Sequence, residues 1–261
     1  MMARRRRLSV PRVLALLIAA LGAAGVLSTV VDLARGLPPF MVPQLEHSQT
    51  LESLVRDYPV DFAVVAAYSL LMVVLAIVFF ELLRNLYPDA PLESLVGGLF
   101  LGGSVLCGLL VGLTALKTSE FALQVVAGSA RQEAWYSLEQ QIWLHNGIKF
   151  LMQLHLVLVA GHTLLIGLGW VVVASGVLRA HRRWRLAGLA TLLAGLLAIT
   201  QVAIRVWLPV YTGGAPLLNP LQGILLKAAM SLGFLASGIL AWLLAGDSSR
   251  KSATGQLKLG A

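Results

Sequence analysis

Six stretches of this chain are each long enough, apolar enough and poor enough in charge to cross a bilayer. A helix rising about 1.5 Å per residue needs about 20 residues to cross about 30 Å of hydrocarbon. The stretches are Val13–Val31, Phe62–Phe80, Leu95–Leu116, Leu156–Leu178, Leu186–Trp207 and Leu221–Ala245. Lipid cannot hydrogen-bond an exposed strand edge, and none of the six alternates apolar and polar residues as a barrel strand does. The predicted fold is therefore an all-α bundle of six transmembrane helices spanning residues 1–246. A polar tail over 247–261 is expected to lack fixed structure.

Composition points the same way. Of 261 residues, 58% are hydrophobic and 12% charged, about half the charge that a water-soluble domain carries. The mean hydropathy is +0.82. The single cysteine, Cys107, has no partner for a disulfide, which excludes a disulfide-stapled scaffold. The net charge of +8 would fit nucleic acid if it were spread over a soluble surface, but here it follows the helix ends. With the N-terminus in the cytoplasm, 13 basic and 4 acidic residues fall on the inner side, against 7 and 8 on the outer side. Cytoplasmic loops retain Lys and Arg, so both termini are predicted to be cytoplasmic, in a plasma membrane, and no nucleic-acid partner is expected. The inner basic residues also suit anionic lipid heads.

Arg4–Arg7 followed by an apolar run and small residues imitates a secretory signal. The run continues to Val31, longer than the roughly 7–15 residues of such a region, so it is read as an uncleaved first helix. Cleavage would leave five spans and move the N-terminus outside.

Two outer loops are long. The first, Leu33–Asp61, holds Pro38, Pro39 and Pro43 and a capped-looking stretch from Thr50 to Asp57. In the second, Lys117 to about His145, the residues Trp135, Leu138 and Ile142 recur at helical spacing with charged residues between them. That pattern predicts an amphipathic helix lying at the outer interface. On the third span Ser104, Gly108 and Gly112 form a small-residue stripe at i, i+4 and i+8. Such a stripe lets helices pack closely, either within the chain or between copies in a homo-oligomer.

Ionisable groups are costly in hydrocarbon, so function is sought among them. Lys149, His155 and His162 lie on the fourth helical run, Gln201 and Arg205 on the fifth span, and Lys227 on the sixth. All fall in the predicted outer half. Together they would line an outward-opening pocket of positive potential, suited to a carboxylate, a phosphate or a lipid head group. The plainer alternative has Arg205 and Lys227 snorkelling to the interface, Lys149 paired with Asp61 or Asp32, and the histidines bonded to neighbouring helices. On the inner side Glu81 and Arg84 are expected to form an ion pair.

His155 and His162 share a face but lie about 10.5 Å apart along the axis, too far to hold one metal ion. A haem b would need a second axial ligand from another helix, and His47, His145 and His181 fall in loops or at helix edges. No cofactor or metal is predicted. No phosphate-binding loop, nucleophile elbow, zincin or dinucleotide motif is present, so an enzyme is the lesser expectation.

The run Leu154-His155-Leu156, Gly161, Gly169-Trp170 through Ser175-Gly176-Val177-Leu178, then Leu186-Ala187-Gly188-Leu189 resembles a family of bacterial six-helix integral membrane proteins whose domain has no assigned function. The resemblance covers about 60 residues and implies six helices but no substrate. The Arg-rich turn His181–Arg185 departs from the proline-containing turn usual there. Three functions follow as expectations: binding or passage of a small anionic or amphipathic molecule, a haem or other redox subunit using His155 or His162, and an accessory subunit joined through Ser104, Gly108 and Gly112.

Overall fold

The structure is a computed structural model that describes residues 10–34, 62–130, 138–212 and 218–259. All regular structure among them is helical: α1 (Val10–Ala34), α2 (Phe62–Leu86), α3 (Pro91–Ala130), α4 (Leu138–Ala180), α5 (Arg185–Thr212) and α6 (Leu218–Leu259), with a 3-10 turn at Arg182–Trp184 between α4 and α5. Six helices are long and apolar enough to cross a membrane. The chain is thus an all-α, multi-pass membrane protein.

Helix ends follow local chemistry. Pro88 cannot continue α2, so the chain turns there, with Asp89 and Ala90 N–H groups bonding the Leu86 carbonyl. Pro91 opens α3, where its missing N–H is harmless. Glu93 lies in the first turn of α3, and Arg84 and Arg179 lie in the last turns of α2 and α4. Each charge opposes the helix dipole at its end. These groups also pair: Arg84 Nη2 is 2.9 Å from Glu81 Oε1, as the sequence predicts. Arg179 pairs with Glu93, and His181 Nε2 is 3.4 Å from Asp89.

Other expectations change in extent. The residues Leu138 and Ile142, read as part of a separate interfacial helix, occupy the opening turns of α4. Helical hydrogen bonding need not stop where apolarity stops, and no proline interrupts the chain there. Trp135 lies outside the described residues, as does the Thr50–Asp57 stretch. For the same reason α6 carries on through the polar residues after Gly246 to Leu259.

The chain divides into two units, Met1–Val42 with Val74–Gly103 and Thr163–Ala261, and Pro43–Val73 with Ser104–His162. In the first, α1 and α6 run antiparallel along most of α1. Arg12 donates to the Ala245 carbonyl at one end, and Asp32 pairs with Lys227 at the other. Between them a Cβ on Gly22 would run into the backbone of Leu235, and one on Gly238 would meet Ala15 and Ala19. Missing side chains let these two backbones touch. Trp170 of α4 is fully buried, with its ring against Gly233 and edge-on to Phe234 of α6. Ile166, Val173, Ala174 and Val177 complete that buried face of α4. In the second unit, α3 and α4 pack antiparallel, with Ser104 opposite His162 and Thr114 opposite His155.

Candidate functional site

The six residues singled out by chemistry fall into two groups. The first is a polar seam between α3 and α4. His162 is 7% exposed, and its Nδ1 lies 2.8 Å from the Ser104 carbonyl oxygen and 3.0 Å from Ser104 Oγ. A carbonyl only accepts, so Nδ1 carries the proton. His155 Nδ1 lies 3.2 Å from Thr114 Oγ1, which is also 3.0 Å from the Val111 carbonyl. Neutral His162 therefore presents Nε2 as the nitrogen with a lone pair. For His162, no described residue hydrogen-bonds that Nε2.

The small-residue stripe builds this seam. Ser104 is fully buried. A Cβ on Gly108 would lie 3.2 Å from His162 Nδ1 and 2.5 Å from the sulfur of Met72, and one on Gly112 would lie 3.0 Å from Ser69 Oγ. All three positions are filled from within the chain by α2 and α4. The contacts thus support internal packing as the role of the stripe. Cys107 is a free, half-buried thiol that faces Gly161 across the same helix pair. Lys149, six residues before His155 on α4, is exposed.

The second group is a polar layer on α1, α5 and α6. Lys227 Nζ donates to Ser28 Oγ at 2.8 Å and pairs with Asp32. Asp32, one of two partners the sequence offers for Lys149, is thus taken by Lys227, and Asp61 lies outside the described residues. On α5, Gln201 is 3% exposed on the face that also buries Thr191, Ala194 and Ala198. Arg205 follows one turn later and is half-buried. Counting back along α5 and forward along α6 from their shared connection places Gln201, Arg205 and Lys227 within a few residues of one level. Ser231, one turn from Lys227, is also buried.

Charge in this layer is unevenly answered. Asp32 neutralises Lys227, whereas no carboxylate among the described residues pairs with Arg205. A guanidinium offers five donors in a planar fork matched to carboxylate or phosphate, and Gln201 adds an amide beside it. The layer can therefore recognise one anionic group. The seam can hold a proton or a ligand at an imidazole nitrogen.

Sequence reasoning found the titratable members and missed their partners. Ser104 was legible only as a small residue, and Thr114 and Ser28 not at all, because a hydroxyl in an apolar helix ordinarily bonds its own backbone. Thr29 and Thr191 do so here. No family model, curated protein or solved structure matches the chain. The chemistry of the two groups is what distinguishes the functions open to it.

Proposed function

We propose that the protein is an integral protein of a bacterial plasma membrane, with both termini cytoplasmic, that binds or passes a small anionic amphipathic molecule at the polar layer of α1, α5 and α6. The observation that carries this is Arg205: half-buried, one turn from buried Gln201, and without a carboxylate partner among the described residues, while Lys227, at a similar level on α6, has one. A charged group held at membrane depth is expensive, and an anionic ligand offsets that expense. Lys227 and Asp32 then hold α1 against α6 beside the site, His155 and His162 belong to the polar seam of the other unit, and Lys149 is exposed on α4. The inner-side excess of Lys and Arg supports the orientation, and the resemblance of the Leu154–Leu189 run to bacterial six-helix proteins supports the setting.

The test is ligand-induced thermal stabilisation of the full chain in phosphatidylcholine nanodiscs, titrated with octanoate, octyl phosphate and octanol. The two anions are expected to raise the melting temperature and octanol is not. Arg205→Gln should abolish the rise and Lys227→Ala should only reduce it. Equal responses in wild type and both variants would remove the layer as a binding site.

A second reading, a redox subunit, is favoured by one observation: the Nδ1 proton of His162 is held by a backbone carbonyl. Metal-ligating histidines are commonly oriented in this way, and it leaves Nε2 as the ligating atom. The visible spectrum of the reduced, purified protein tests it. A Soret band lost in His162→Ala supports haem ligation, and a featureless spectrum excludes haem.

A further inference from the structure

We propose a second binding site, for an anionic glycerophospholipid, on the face of the α4–α5 turn and α5 that carries Arg182, Arg185 and a row of exposed leucines. Arg182 and Arg185 are three residues apart, which brings their side chains to one side of the turn, and both are exposed. Leu186, Leu189, Leu193 and Leu196 continue the same face down α5, exposed by 84%, 51%, 51% and 49%. The opposite face of α5, Gly188, Thr191, Ala194, Ala198 and Gln201, is buried. The polarity thus changes along the helix instead of around it: two guanidinium groups, then about 15 Å of aliphatic surface at the ordinary helical rise. A phospholipid has the same sequence of chemistry, a phosphate followed by an acyl chain.

The neighbouring charges sharpen the match. Three acidic groups at this end already face other cations: Glu81 pairs with Arg84, Glu93 with Arg179, and Asp89 lies 3.4 Å from His181 Nε2. Among the described residues none is paired with Arg182 or Arg185. The guanidinium of Arg183 lies 4.9 Å from the ring centroid of Trp184, where cation–π attraction holds it over the indole. The two flanking arginines keep their forks for an anion, and bidentate phosphate binding is what arginine does better than lysine. A free phosphate would use the arginines alone. The aliphatic row specifies the lipid.

Native mass spectrometry of the delipidated full chain in a non-ionic detergent tests the site. The probes are dioleoyl phosphatidylglycerol, dioleoyl phosphatidylcholine and sn-glycerol 3-phosphate. Retained phosphatidylglycerol adducts are expected, with little phosphatidylcholine at equal concentration. The double variant Arg182→Gln/Arg185→Gln should weaken phosphatidylglycerol binding by about tenfold or more, given the usual worth of two basic residues near anionic lipid. Leu189→Asn/Leu193→Asn should weaken it while both arginines remain. The altered side chains are all exposed, and the melting temperature of each variant checks that it is folded. Equal retention of both lipids, unchanged phosphatidylglycerol binding in the arginine variant, or full displacement by glycerol 3-phosphate would each overturn the proposal.

Discussion

A lysine at the depth of Lys227 is tolerated because its charge is answered on the spot. The ammonium group meets the Asp32 carboxylate and the Ser28 hydroxyl, and both charged side chains are only about a quarter exposed, 24% and 25%. Removing one partner leaves the other charge partly desolvated, and removing both leaves nothing to answer. Asp32→Asn is therefore expected to destabilise the protein by roughly 2 kcal/mol, less than a fully buried pair would lose. Asp32→Asn combined with Lys227→Met should recover most of that loss. Unfolding titrations in mixed micelles measure both, and a double variant weaker than the single one would contradict the pairing. His162 makes a different prediction. Nitrogen NMR of the imidazole rings should show a protonated Nδ1 and an unprotonated Nε2 for neutral His162, and the opposite tautomer there would break the hydrogen-bond assignment to Ser104. At this scale the sequence identified which residues matter and not whom they meet. Asp32 was legible as a partner for a cation, but depth alone does not choose between Lys149 and a lysine 195 residues away when both stand near the same helix ends.

Helices in this protein meet through missing side chains as much as through large ones, because between apolar helices in lipid close packing replaces the hydrophobic drive. Two glycines make that measurable. A Cβ at Gly233 would overlap the ring of Trp170, which is fully buried and has no room to retreat. At Gly102 nothing lies within 4 Å. Gly233→Ala should thus destabilise by about 1–3 kcal/mol through overpacking. Gly102→Ala should be neutral or stabilising by up to about 1 kcal/mol, since alanine is the better helix former. Thermal melts of the two variants against wild type decide this, and equal melting temperatures would show that the α4–α6 contact yields freely. The six spans themselves were legible from length and apolarity, and all six are helices. Their ends were less so. The opening turns of α4 are polar enough to read as a surface helix, yet they continue the transmembrane one without a break. The stripe Ser104, Gly108 and Gly112 was legible as a contact face, but a pattern of absent side chains carries no record of what fills it. Here Met72, Ser69 and His162 do.

For the molecule as a whole, charge and depth must agree on one orientation. The inner-side excess of 13 basic over 4 acidic residues includes Arg84, Arg179, Arg182, Arg183 and Arg185, which sit at the same ends of α2, α4 and α5 as the ion pairs with Glu81 and Glu93. Pairing leaves Arg182 and Arg185 uncompensated among the described residues, and all five arginines count toward retention, since acidic neighbours weigh little in it. The far ends of the helices carry Asp32 against Lys227 and Glu120 against Lys117, the latter pair 2.7 Å apart, with no comparable surplus. Six crossings return the chain to the side where it began, and in the proposed orientation retention of the basic ends makes that side the cytoplasm. Fusions after residue 261 should therefore give fluorescent green fluorescent protein and inactive alkaline phosphatase, while alkaline phosphatase inserted between Thr212 and Leu218 should be active. Replacing Arg182, Arg183 and Arg185 together with glutamine should leave the first helix still oriented by Arg4–Arg7 and Arg12, so the fusion pattern should hold. A C-terminal phosphatase active in the wild type would mean an inverted chain, and would also move the polar layer of Arg205 to the cytoplasmic side, away from any ligand arriving from outside.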